Sequence, residues 1–210
     1  MLVKINGIEL DLEDDPEKGI IPLVSGEIET YYALDIPFQF HDIVVDIGAQ
    51  VGIVSCYLAK KYPDLMVYSY EPTTANFNRA YRNLRVNKIY NCQLYPMAVT
   101  ADGRDVHIGY SEINSGSHSM FLNTEGEVTK SIAIAKALKK FNKVRLLKMD
   151  CEGAEYEIIE ELHRLELLRK IQSIRGEIHG LPGKSSEKLL KMLRNDIPDM
   201  KMVVGGPIGA

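Results

Sequence analysis

Residues 43–54 read Ile43-Val44-Val45-Asp46-Ile47-Gly48-Ala49-Gln50-Val51-Gly52-Ile53-Val54, and this stretch decides the fold. Three consecutive β-branched residues ending at an acid describe a short strand buried on both faces. Two glycines follow, and behind them Val54, Tyr57 and Leu58 recur at helical spacing. The stretch is therefore a strand, a tight turn and a helix. Gly48 can take a backbone conformation closed to residues with a Cβ, and it lets the chain approach a ligand closely.

The same unit repeats downstream. Met66–Tyr70 reads as a second strand ending at Glu71-Pro72, and Phe77, Ala80, Tyr81 and Leu84 follow at helical spacing behind Thr73 and Thr74 as candidate N-caps. Residues 92–99 read as a third strand, weakened by Pro96. Residues 104–110 read as an added strand before a Ser/Gly/Asn-rich loop at 111–119 that is expected to cover an active site. Residues 132–141 read as helix, Val144–Met149 as a buried strand ending at Asp150, and 154–168 as a long helix with Ile158, Leu162 and Leu165 on one face. Residues 171–178 are expected as a strand, followed by a helix capped at Ser185 or Ser186, and 200–204 as a final strand. Upstream, residues 1–40 alternate apolar and polar positions (Leu2, Ile5, Ile8, Leu10, then Ile21 to Val24) and read as short strands or a lid, with 41–210 as the main domain. Strands alternating with helices predict a doubly wound, Rossmann-like α/β fold with a mostly parallel central sheet. Ligands then belong at the carboxyl ends of the strands, where Asp46, Gly48, Gly52, Glu71, Asp150 and His179 fall.

Composition narrows the function classes. A chain of 210 residues with 45% hydrophobic content suits one domain with a sizeable core. The net charge of −4 is interspersed, with no basic block to track a phosphate backbone, so nucleic acid is not an indicated partner. Cys56, Cys92 and Cys151 are too few and too widely spaced for a disulfide framework or paired zinc ligands. The first residues carry acids where a leader needs bases, and no apolar run approaches the ~18 residues of a membrane span. A cytoplasmic protein is expected; oligomeric state is not encoded legibly.

The glycine turn has the form D-x-G-x-x-x-G. Glu71, roughly twenty residues on, can accept both hydroxyl hydrogens of a nucleoside ribose. A dinucleotide site wants G-x-G-x-x-G, but Gln50 stands where the second glycine would let backbone meet pyrophosphate. A nucleoside cofactor without phosphates fits better. A second constellation places Lys148, Asp150, Glu152 and Glu155 where a strand becomes a helix; acids suit a helix N-terminus through its dipole.

Together VVDIGAQVG, SYEP and LLKMDCEGAEYEI resemble the FkbM family of class I S-adenosylmethionine-dependent methyltransferases, whose hallmark is K-x-D-x-E-G-x-E. The resemblance runs from about Val44 to His179. It takes in Asn114 to Ser119, similar to an N-x-G-x-x-S loop, and Glu177-Ile178-His179. It implies S-adenosylmethionine as cofactor, with Asp46, Gly48, Ala49 and Gly52 along its methionine half, Glu71 on the ribose, the backbone near Ala98 beside the adenine, and Asp150 beside the sulfonium. The implied reaction is O-methylation of a sugar, glycolipid or polyketide-like hydroxyl, so the implied partner is a small-molecule or glycan acceptor. His179, with an ordinary pKa of about 6.5, reads as the base that takes the acceptor's proton. Lys148, Glu152, Glu155, Glu177 and Ser119 are expected on the substrate side. Crowding of Asp150, Glu152, Glu177 and His179 could also assemble an oxygen-rich divalent site, although the reading itself assigns no metal. One departure is the C-terminal edge, where class I enzymes usually add an antiparallel hairpin. Two other functions compete: methylation of nucleic acid or protein nitrogen, which predicts a basic rim or an N/D-P-P-Y motif that is absent, and a non-catalytic nucleoside-binding module.

Overall fold

A computed structural model describes residues 1–30, 34 and 36–208. Strands β1 (Leu2–Ile5) and β2 (Ile8–Asp11) pair antiparallel around Asn6-Gly7, both at positive φ, the turn whose twist matches a two-residue hairpin. Ile21 to Val24, grouped with the strands from sequence, instead begin helix α1 (Ile21–Thr30). Ile21 and Ile28, seven residues apart, are both buried, and a four-residue apolar window cannot show that helical period. Residues 31–33 and 35 of the expected lid lie outside the described residues.

The anticipated alternation follows: β3 (Ile43–Ile47), α2 (Ile53–Lys61), β4 (Met66–Tyr70), α3 (Thr74–Val86) and β5 (Cys92–Tyr95). The expected strand at 92–99 splits at Pro96, which lacks the N–H a ladder needs. Its second half, β6 (Ala98–Thr100), leaves the main sheet. Then come β7 (Val106–Gly109), β8 (Gly126–Thr129) and β9 (Ser131–Ala133). The helix expected over 132–141 is shortened, because its first residues lie in β9, which pairs with β6; α4 spans only Ile134–Leu138. The chain finishes with β10 (Val144–Met149), α5 (Glu155–Arg164), β11 (Ile171–Gly180), α6 (Ser186–Asp196) and β12 (Asp199–Pro207).

Six strands form the central sheet in the order β12-β11-β10-β3-β4-β5, and every neighbouring pair is parallel. The sheet is doubly wound about the β3–β10 pair, where the strand order reverses, and ligand crevices open at such a reversal. Side chains alternate across it. Val45, Leu147 and Ile174 pack with Ile158, Leu162 and Leu193 of α5 and α6 on one face, and Val44 and Leu146 pack with Tyr57, Leu58, Ile28 and the hairpin's Ile5 and Leu10 on the other. Burial on both faces explains why the strands read as unbroken apolar runs. β12 runs parallel to β11, and no antiparallel hairpin stands at this edge among the described residues. No helix among the described residues is long and apolar enough to cross a membrane.

Two glycines draw the strand ends together. Gly48 has φ +80°, and a Cβ there would lie 1.8 Å from the carbonyl oxygen of Asp150; Gly176 has φ +142°, and its Cβ would meet the Met149 carbonyl. The close approach anticipated at Gly48 is thus to the protein's own backbone as well as to a cavity. Gly7 has the same φ region with nothing within 4 Å. Gly7→Ala should therefore cost only the left-handed penalty of about 1–2 kcal/mol, whereas Gly48→Ala adds a backbone collision and should cost about 2–5 kcal/mol in urea unfolding. Equal losses would show that the β3 and β10 ends separate freely.

Candidate active site

Beyond β3 the chain folds back over the end of β4: the N–H groups of Gly48 and Ala49 both donate to the Tyr70 carbonyl, at 3.1 and 3.0 Å. The next N–H, of Gln50, donates to Glu71 Oε2 at 2.9 Å. Glu71 Oε1 accepts from the N–H and hydroxyl of Thr73 at 3.0 and 2.7 Å. Burial pushes the Glu71 carboxyl up to about 7, against the pull of these donors. The carboxylate borders a cleft walled by Ile47, Tyr70, Met97, Ala98, Val99 and Met120, with Gln50 and Asn76 at its polar side. Gln50 Oε1 and Asn76 Oδ1 are buried oxygens that accept no hydrogen bond. Apolar walls with unfilled acceptors and a carboxylate fit a nucleoside, whose hydroxyls donate and whose base is flat and apolar-faced.

The acid and second glycine of the turn sit behind this cleft. Asp46 is fully buried; Ser55 Oγ donates to its Oδ2 at 2.6 Å, and Lys148 Nζ lies 3.4 Å from its Oδ1. Gly52, at φ +80°, caps α2 without a side chain and brings it against Ala80. Neither lines a cavity; both shape the turn. Lys148 donates to the Gly48 carbonyl at 2.8 Å and reaches Asp150 at 3.9 Å. Burial works against its charge, but the Asp46 and Asp150 carboxylates outweigh it and raise its pKa.

A second cavity of about 250 Å³ adjoins the cleft, lined by Glu27, Ala49, Lys148, Glu177 and His179. Gly48, Gln50, Gly116, Asp150 and Glu152 border both spaces. His179, at the end of β11, stands among four carboxylates. Its Nε2 lies 3.2 Å from Glu177, 3.5 Å from Glu152 and 3.9 Å from Asp150, and its Nδ1 lies 3.3 Å from Glu155. Burial disfavours the imidazolium, but hydrogen bonds to Glu155 and Glu177 and the surrounding charges prevail and push the pKa up to about 11. The surrounding carboxylates therefore favour the protonated ring. Burial lifts Glu152 to about 8, although His179 pulls it down.

Glu155 has no exposed surface. It accepts from the N–H groups of Cys151 and Gly153 at 2.8 and 2.9 Å, so it braces the turn that leads into α5 and lies beside the His179 ring, outside the lining of both cavities. The turn between β10 and α5 thus uses its carboxylate for two backbone donors. Ser119 lines the cleft and donates to the Glu152 carbonyl at 2.5 Å. The loop at 111–119 does lie over the site: Ser115 takes a hydrogen bond from Gln50 at 2.8 Å and donates to Asp14 at 3.0 Å, and Asn76 donates to the Ser115 carbonyl at 2.7 Å. Asn76 and Glu27 escaped notice in the sequence. Asn76 belongs to the first turn of α3 without a motif of its own, and Glu27 lies on the helix that was read as strand. Asp150, Glu155 and His179 also offer ligand atoms within 4.8 Å of one another, a spacing a metal ion can bridge.

Residues 46–199 match the methyltransferase FkbM domain family. A curated relative, "Methyltransferase 1" of Beauveria bassiana (strain ARSEF 2860), is 22% identical over 150 residues, and the match spans 60% of this chain and 60% of that protein's length. Among solved structures, Trm5b of Pyrococcus abyssi is similar over 93% of this chain and 45% of its own, at 16% identity and a TM-score of 0.49. A precorrin-6y C5,15-methyltransferase of Geobacter metallireducens is similar over 76% of this chain and 63% of its own, at 15% identity and a TM-score of 0.43. The matched residues begin at the acid of the glycine turn and reach the first residue of the edge strand, well over half the sequence, and the chain belongs to the FkbM methyltransferase family.

Proposed function

We propose that this domain methylates a hydroxyl on a sugar, glycolipid or polyketide-like small molecule, with S-adenosylmethionine as donor. The observation that carries this reading is the shared wall of Gly48, Gln50, Asp150 and Glu152 between an apolar-walled cleft and a polar cavity. S-adenosylmethionine supplies a methyl group activated on a sulfonium. The chain's own residues do the rest. Glu71 and the unfilled oxygens of Gln50 and Asn76 take the ribose hydroxyl hydrogens, and the apolar wall at Met97 and Ala98 holds the adenine. Asp150, on the boundary, offers its carboxylate to the sulfonium's positive charge. The acceptor hydroxyl then lies in the second cavity, with Asp150, Glu152 and Glu177 as hydrogen-bond acceptors, and its proton passes to one of these carboxylates as the methyl leaves the sulfonium. His179, fixed by Glu155, orients these carboxylates.

Three outcomes test the reading. S-adenosylmethionine or its demethylated product should raise the melting temperature, by an amount equivalent to about 2.7 kcal/mol at a hundredfold excess over Kd, and NAD should not. A shift with NAD alone overturns the cofactor assignment. In calorimetry with S-adenosylhomocysteine, Glu71→Gln should lose roughly 10- to 100-fold in affinity, since charge-assisted hydrogen bonds contribute about 1.5–3 kcal/mol. Because burial holds the Glu71 carboxyl near 7, it is mostly neutral at pH 6 and ionised at pH 8. Wild-type affinity should therefore rise several-fold across that interval as the better acceptor is populated, and the rise should vanish in Glu71→Gln. A flat wild-type profile would place the ribose elsewhere. Finally, radiolabelled methyl transfer to a panel of glycans, lipids and RNA should label a hydroxyl-bearing small molecule or glycan; label in RNA alone overturns the acceptor class.

A further inference from the structure

We propose that the groove between α4 and the ends of β4 and β5 binds a nucleoside diphosphate, with the base on its aromatic wall and the phosphates on Lys136, Lys139 and Lys140. The groove follows from how the chain leaves the sheet. β6 departs at Pro96 and β9 takes the residues before α4, so a helix of only five residues lies beside the ends of β4 and β5. What remains is a space of about 550 Å³, large enough for a small molecule. Tyr70, Tyr95, Met97 and Ile132 form its apolar side, and the three lysines line it from α4 and the turn that follows. It backs onto the proposed cofactor cleft, with which it shares Tyr70 and Met97.

Shape and charge point to the same ligand independently. The Tyr70 and Tyr95 rings are stacked, with centroids 5.1 Å apart and planes at 18°, and such a pair presents a flat face to a base. Lys136, Lys139 and Lys140 stand three and four residues apart, so they share one side of the helix and its last turn. No carboxylate lines the groove, and no ion pair among the described residues uses any of the three lysines. Lys140 Nζ instead lies 3.8 Å from the centroid of the Tyr68 ring and 6.0 Å from that of Tyr95, which fixes its charge against the aromatic wall. The helix dipole favours a cation at Lys139, beyond the last turn, but it does not call for an aromatic wall beneath three of them.

The number of charges selects the class. Three ammonium groups match a diphosphate, which carries about three negative charges at neutral pH. A polynucleotide needs a basic track that runs beyond one groove, and in this chain of net charge −4 the other bases are interspersed with acids. The site depends on these residues alone and not on what the neighbouring cleft holds.

The test uses the full chain with metal-free ADP as the probe, once with S-adenosylhomocysteine at saturation, to fill the cleft, and once without it. Calorimetry should report an ADP site with a Kd below about 1 mM in both conditions. Pyrophosphate lacks the base and adenosine lacks the charge; with the cleft filled, each should bind at least about 10-fold more weakly than ADP. The double variant Lys136→Gln, Lys139→Gln should lose at least about 10-fold in ADP affinity and should flatten its dependence on salt. Tyr95→Leu should weaken ADP and leave pyrophosphate unchanged. Lys191→Gln, at an exposed lysine of α6, should bind as wild type. Circular dichroism of each variant confirms that it folds. Absence of saturable ADP binding up to a concentration on the order of 1 mM overturns the site. Pyrophosphate binding as tight as that of ADP shows an adventitious ion only and overturns it too, as does an equal loss in Lys191→Gln. Competition between ADP and S-adenosylhomocysteine places the nucleotide in the cleft and overturns the groove. The lysine variants report on the groove whether or not S-adenosylhomocysteine binds, so failure of the cofactor reading and failure of this site are read separately.

Discussion

Lys148 carries a charge in the middle of the molecule with 4% of its surface exposed, and the arrangement of the site depends on how that charge is compensated. It stands on β10 beside β3, between the Asp46 and Asp150 carboxylates, and donates to the carbonyl of Gly48. A buried ammonium persists only when paired and hydrogen-bonded, and removing a partner of such a pair costs about 3–5 kcal/mol. The pairing ties an acid of β3, the turn that follows that strand and the acid beyond β10 into one electrostatic unit. In the proposed reading Asp46, fully buried, acts on the ligand side through this lysine.

From that unit the two halves of the site diverge in character. Toward β4 the walls are apolar and the polar groups are few acceptors: Glu71, which already takes three hydrogen bonds, and Gln50 Oε1 and Asn76 Oδ1, each short of a donor. Toward β11 the wall is dense in carboxylates organised about one imidazole. A neutral, hydroxyl-bearing nucleoside suits the first, and positive charge suits the second. The sulfonium of S-adenosylmethionine falls at the boundary in the proposed reading, where Asp150 belongs to both. The loop at 111–119 closes over this boundary through Ser115 and Ser119, and its anchors at Asp14, Gln50 and Asn76 belong to three separate segments. Closure is thus coupled to the cleft's own polar wall.

Departures from the sequence-based expectations share a cause: short-range pattern met long-range competition. Ile21 to Val24 satisfied a strand pattern over four residues, but the hydrophobic face that α1 presents repeats over seven. Pro96 divided one apolar run between two sheets, and residues 131–133 joined the second of them as β9 at the expense of a helix.

Much was local and therefore legible. The strand, turn and helix at 43–54, the acids at strand ends and the mostly parallel sheet follow from spacing along the chain, because backbone sterics, side-chain periodicity and connection handedness act over a few residues; the family followed from the resemblance of its motifs. The positions of Glu71, Asp150 and His179 at one edge of the sheet followed from topology alone. Their ionisation did not. His179 is isolated in the sequence from Asp150, Glu152 and Glu155 by more than a helix, and only the parallel pairing of β10 with β11 brings it within 4 Å of all of them. Whether an imidazole is a base, an imidazolium or a metal ligand is decided by charges acting through space, and those distances exist only once the sheet has formed.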